Sequence, residues 1–281
     1  MQRFLILLLL VLVAALPAVA EDIKEKKYTA KELEEIVGPV ALYPDQVLSS
    51  VLPATTAPLD VLKAARWLSQ QKGEVTAAPE DSGWDPAVQA LIQFPDVLNW
   101  MSENLDWMEQ MGFAVAEQQE DVLAAIQAFR SKAKDTGNLT SNDKQQVIVE
   151  KETQVIQIQP TEPQVIYVPQ YNPVYVTQPV HTHPPSYAGH FWAGFATGVV
   201  GAWAFHQIRW GGSHHGHWGR YGGGGLYVNN SPTFNFNKSG TINKGTINRA
   251  SIGNTWKPSG NARRQLPANA PRGRQGGVNR P

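Results

Sequence analysis

Apolar residues recur at helical spacing over residues 29–139 and then switch to alternation, so a helical segment followed by short strands is expected. Thr29-Ala30-Lys31-Glu32 forms a capping box ahead of Leu33, Ile36 and Val37, and Asp45 precedes a short apolar stretch at 47–52. Thr56, with Pro58 just inside, opens a helix carrying Leu59, Leu62, Ala65, Trp67 and Leu68. Asp85-Pro86 does the same for Val88, Leu91 and Ile92, and Pro95-Asp96 for Val97, Trp100, Met101, Leu105 and Met108. Val122, Ile126, Phe129 and Ala133 continue the stripe until Gly137 supplies a stop. The pattern predicts five or six short, Pro-punctuated helices forming a compact domain over residues 21–140, with Trp67, Trp100 and Phe129 in its core. Tyr43-Pro44-Asp45-Gln46-Val47-Leu48 and Phe94-Pro95-Asp96-Val97-Leu98 match at five positions, which reads as two similar corners of one bundle rather than a duplication.

Over residues 141–180 the period is 2. Val147 and Val149, then Val155-Ile156-Gln157-Ile158, Val165-Ile166-Tyr167-Val168 and Val174-Tyr175-Val176 are β-rich runs cut by Pro160, Pro163, Pro169 and Pro173. Proline cannot donate to a central ladder, so a small ribbon of edge strands packed on the helical domain is expected. The fold class is therefore mainly α with a small Pro-rich β element.

A second apolar segment spans 188–208, about the 20 residues that a bilayer crossing needs. Gly194, Gly198 and Gly201 line one helical face with small residues, and Trp192 and Trp203 sit near its ends. The segment is a candidate transmembrane or self-associating helix, with that face as the contact surface of a homo-oligomer; a Gly/Ala-rich peripheral segment is the alternative. Residues 209–281 are low in complexity, rich in Gly, Asn and Pro, and read as a disordered tail. Ile242, Ile247 and Ile252 recur five apart within it, which favours an extended basic strand over a repeat fold.

The N-terminus carries Arg3, an uninterrupted apolar run and Ala18-Val19-Ala20, the pattern of a secretory leader over residues 1–20 cleaved to expose Glu21. No Cys follows the cut, so lipid attachment there is excluded, and the short run disfavours a retained anchor. Export permits disulfides, yet the chain has none to make. An exported, periplasmic domain held at the membrane is the expected location, and a single span would leave the tail in the cytoplasm.

Charge divides the chain sharply. All 24 acidic residues lie within 21–162 against 12 Lys/Arg, whereas 163–281 holds 11 Lys/Arg and no acid. All seven histidines fall between His181 and His217, so the acidic half has neither His nor Cys for nucleophilic work, and no carboxylate pair stands out. No enzyme and no cofactor is expected. His181, His183, His214, His215 and His217 are a candidate set for Zn, Cu or Ni, but without a carboxylate or thiol beside them the low-complexity reading is favoured. The tail's dispersed cations, interleaved with Trp210, Trp218, Tyr221, Tyr227 and Trp256, suit membrane lipid headgroups or an anionic envelope polymer. Nucleic acid is disfavoured by the leader. The tail and the acidic domain should also attract each other at low salt.

Ala41-Leu42-Tyr43-Pro44-Asp45, Ala64-Ala65-Arg66-Trp67-Leu68, Trp84-Asp85-Pro86, Phe94-Pro95-Asp96-Val97-Leu98 and Tyr167-Val168-Pro169-Gln170-Tyr171-Asn172-Pro173 together resemble the bacterial envelope family called domain of unknown function 3300. The resemblance covers roughly residues 33–176 and implies membrane association without an assigned activity or catalytic residue. The resulting expectation is a non-enzymatic, membrane-associated envelope protein; the alternative is a soluble periplasmic protein with a His-rich, metal-binding tail.

Overall fold

Seven helices lie between Ala30 and Asp135, and one of them is buried on every side from Val47 onward. A computed structural model describes residues 27–179 apart from 74, 76, 163 and 164, and beyond them 195–199, 206–210, 212–214, 217–221, 225–229, 252–269 and 271. The expected leader, the start at Glu21, and Ile242 and Ile247 of the pentads lie outside the described residues.

Helix α1 (Ala30–Val37) starts on the expected capping box: Thr29 accepts from the Glu32 N–H, and the Glu32 carboxylate accepts from the Thr29 N–H. Helix α2 (Asp45–Ala54) is the central one, with every residue from Val47 to Ala54 buried, which removes any need for an amphipathic pattern. Helix α3 (Pro58–Ser69) buries Val61, Ala64 and Ala65 but turns Leu59 outward at 52% exposure, so the expected stripe is rotated. Helices α4 (Pro86–Leu91) and α5 (Pro95–Glu103) open on Pro as expected. The helix read through Leu105 to Met108 instead breaks at Asn104, whose side-chain amide bonds the Trp100 carbonyl at 2.8 Å, and α6 (Leu105–Glu117) begins anew. Helix α7 (Gln119–Asp135) is the longest and ends ahead of Gly137, whose φ of 81° provides the left-handed stop.

α1 packs on α6 and α7, α2 on α4 and α6, and α3 on α5. Trp100 and Phe129 are in the core, as expected; Trp67 is only partly buried, its ring edge-on to Trp84. Mainly α is the class, with a small antiparallel hairpin of β1 (Gln145–Val149) and β2 (Ile156–Pro160), in which Val147 faces Ile158. Gln127 of α7 clamps the hairpin by bonding both the N–H and the carbonyl of Ile156.

Three expectations are corrected. Val174-Tyr175-Val176 is helical, not extended: in α8 (Pro173–Val176) Pro173 occupies the first turn and Asn172 caps the Val174 N–H at 3.0 Å. The helix expected over 188–208 is extended wherever it is described, because β4 (Phe195–Val199) pairs with β3 (Val165–Val168), and β5 (His206–Arg209) begins a further sheet. Among the described residues no helix is long and apolar enough to cross a membrane. Finally, parts of the tail expected to be disordered are ordered: β6 (Gly212–His214) pairs with β7 (His217–Tyr221), β8 (Gly225–Asn229) joins β5 to β9 (Ile252–Thr255), and α9 (Gly260–Gln265) follows. Leu226 and Trp256 belong to the same core as the helices.

Candidate functional site

Arg130, in the second half of α7, is among the largest fully buried side chains of the described residues. Its Nε donates to the Ala41 carbonyl at 2.8 Å, Nη2 to the Tyr43 carbonyl at 3.0 Å, and Nη1 to both the Ile156 carbonyl and Asp45 Oδ1, at 2.8 and 2.7 Å. A buried guanidinium is tolerated only when paired and hydrogen-bonded, and here four bonds and one carboxylate meet that requirement. Arg130 thereby joins the α1–α2 corner, α7 and the β1–β2 hairpin.

The same corner is held from a second side. The Tyr171 hydroxyl donates to the Gly38 carbonyl at 2.7 Å and accepts from the Leu42 N–H at 3.0 Å. Tyr43 is buried beside it, and burial pushes its phenol well above the ordinary value. Two of the motifs noted in the sequence, 41–45 and 167–173, thus meet in one place.

Trp210 closes the cluster from the basic half. Its ring lies 4.8 Å from the Arg130 guanidinium carbon, and its Nε1 donates to Asp45 Oδ2 at 3.1 Å. Asp45 therefore bridges two groups that its place at the start of α2 brings together. Every polar partner in this cluster is engaged in holding elements together; the arrangement is that of a structural clamp with a π face, not of a nucleophile and base.

A second region of contact involves the C-terminal segment. The Leu226 N–H donates to Gln119 Oε1, the Trp256 N–H donates to the Leu226 carbonyl, and Arg263 pairs with Glu117. Gln265 Oε1 accepts the Leu59 N–H at 2.9 Å, and the Tyr28 hydroxyl donates to the Pro271 carbonyl at 2.9 Å.

The family model described as a protein of unknown function (DUF3300) matches residues 29–257, running from the capping box through the clamp to Trp256. The chain belongs to this DUF3300 family. It is 31% identical over 242 residues to the uncharacterized protein YacH of Escherichia coli (strain K12), a match covering 69% of this chain and 39% of YacH. The chain thus spans well under half the length of that relative. No solved structure matches.

In this DUF3300 chain the sequence-derived site residues are only partly placed. His214 and His217 are opposite one another in the β6–β7 pairing, while His181, His183 and His215 lie outside the described residues. Among the described residues no three His, Asp or Glu gather as metal ligands. Gly198 falls in β4, so the helical contact face with Gly194 and Gly201 has no helix at that position; those two glycines lie outside the described residues. Sequence reading missed Arg130. Its signal was a cation four residues after Ile126, on the apolar stripe of α7.

Asp85 is the N-cap of α4; it accepts from the Ala87 N–H at 2.9 Å while its own N–H donates to Asp60 Oδ2 at 3.1 Å. Burial raises its carboxyl above the ordinary 3.8, and the nearby Asp60 charge adds to the rise. Both carboxylates thus serve helix starts.

Proposed function

We propose that this protein is a non-enzymatic component of the bacterial cell envelope, exported to the periplasm, that holds anionic envelope components through its basic C-terminal segment. The observation that carries the reading is the separation of charge: Lys257 and Arg264 are exposed on a segment whose half of the chain contains no carboxylate side chain to neutralise them. Such exposed cations suit a phosphate-bearing membrane surface. The reading takes the association as peripheral and made by charge, and the extended backbone at 195–199 and 206–209 supports it.

Co-sedimentation of the mature chain with phosphatidylglycerol vesicles, against phosphatidylcholine vesicles, tests this. Binding confined to the anionic vesicles and lost at high salt is expected; equal binding to both, or none, refutes it. A second reading, transition-metal binding by the His-rich tail, is favoured by the register that sets His214 opposite His217. Titration with Zn is its test, with a stoichiometric complex abolished by His217→Ala as the supporting result.

A further inference from the structure

The C-terminal arm is bound to the helical domain by contacts that are mostly polar and near the surface. Within the described part of 256–271 only Trp256 and Ala262 are buried. The Arg263 side chain is 54% exposed and its partner Glu117, at the end of α6, 19% exposed. Gln265 satisfies the Leu59 N–H in the first turn of α3, a donor that has no partner within that helix. Leu266 lies over Gly112, where a β-carbon would approach it to 3.0 Å, so the absent side chain makes room for the arm. α9 has six residues, too few to hold a helix by themselves in water, so its order depends on the face that receives it.

We propose that the face formed by Leu59 of α3 with Gly112 and Glu117 of α6 is a receptor for a short basic helix, occupied by α9 in the resting chain. A phosphate-bearing polymer that engages Lys257 and Arg264 then competes with Glu117 for Arg263 and displaces the arm. The competition is unequal by chemistry: Glu117 offers one carboxylate in a half-exposed pair, whereas a polyphosphate presents closely spaced charges to three neighbouring cations. The displacement rests on the anion-binding reading above; the receptor face does not.

Hydrogen exchange of the full mature chain reads the arm directly, with inorganic polyphosphate as the probe. Amides of residues 260–266 should exchange at least tenfold faster when polyphosphate is added, and also when salt rises from about 0.05 to about 0.5 M, while those of α7 stay protected. Glu117→Lys should release the arm without either, and Glu117→Gln should do so in part, with thermal melts confirming that both variants fold. Unchanged protection in Glu117→Lys and at high salt overturns the receptor face. Polyphosphate that co-sediments with the chain while 260–266 stay protected overturns displacement and leaves anion binding standing. Failure of polyphosphate to bind at low salt overturns the anion-binding reading and displacement together.

Discussion

The Arg130 guanidinium is covered by the ring of Trp210, whose own N–H is bonded to the carboxylate that Arg130 pairs with. Basic and acidic halves of the chain therefore share one buried ion cluster, with Asp45 and Trp210 separated by 165 positions.

Removing the cation from this cluster should be more damaging than removing its cover. Arg130→Ala removes the donor to the Ala41 and Tyr43 carbonyls and leaves Asp45 without its cation, and loss of one partner of a buried pair costs about 3 to 5 kcal/mol. Trp210→Ala leaves those bonds in place and should cost about 2 kcal/mol. Urea denaturation of both variants and of the double variant checks this; the double should fall short of the sum, since the two groups touch.

Trp100 and Trp67 make a paired test of the core. Trp100 is 6% exposed with its ring 4.5 Å from Trp107, so Trp100→Ala should cost about 3 to 5 kcal/mol in a thermal melt. Trp67 is partly exposed and should cost less. Equal losses would place both rings equally deep.

Gly112→Ala is expected to destabilise. A β-carbon there would sit 2.3 Å from the Thr55 carbonyl oxygen, a backbone atom that cannot rotate aside. Overpacking of this kind costs about 1 to 3 kcal/mol, measurable by chemical denaturation.

Asp85→Asn should stabilise the protein near neutral pH and lose that advantage in acid. The folded carboxyl has its pKa raised by burial, so the native state binds the extra proton and wild-type stability falls as pH rises from 3.8 through the folded value. Asn keeps the cap on α4 without a charge to desolvate. Denaturation of both proteins at about pH 3 and about pH 7 should show the gap opening toward neutral pH; a constant gap would show that the carboxyl is not perturbed.

Local interactions made much of the helical domain legible from sequence. The Thr29 capping box, Asp85-Pro86, Pro95 and the Gly137 stop all act within a few residues, and each appears where the pattern placed it. The all-buried α2 left its partners open, because a helix without a polar face does not indicate a direction of packing. Composition likewise misled in the second half. Gly-rich sequence with few apolar residues suggested a free tail and 188–208 suggested a helix, but strand pairing and the burial of Leu226 and Trp256 are supplied by residues far away in the chain.

The sequence by itself determined the division of charge, the helical class of residues 29–139 and the β-rich character of 147–158, since composition and short-range periodicity decide these. Only the tertiary structure decided that Arg130 is a buried clamp, that Tyr171 and Trp210 close the 41–45 corner, and that the basic arm returns to Glu117. The physical reason is that a lone cation on an apolar stripe can be buried only if carbonyls and a carboxylate converge on it, and those come from segments distant in sequence.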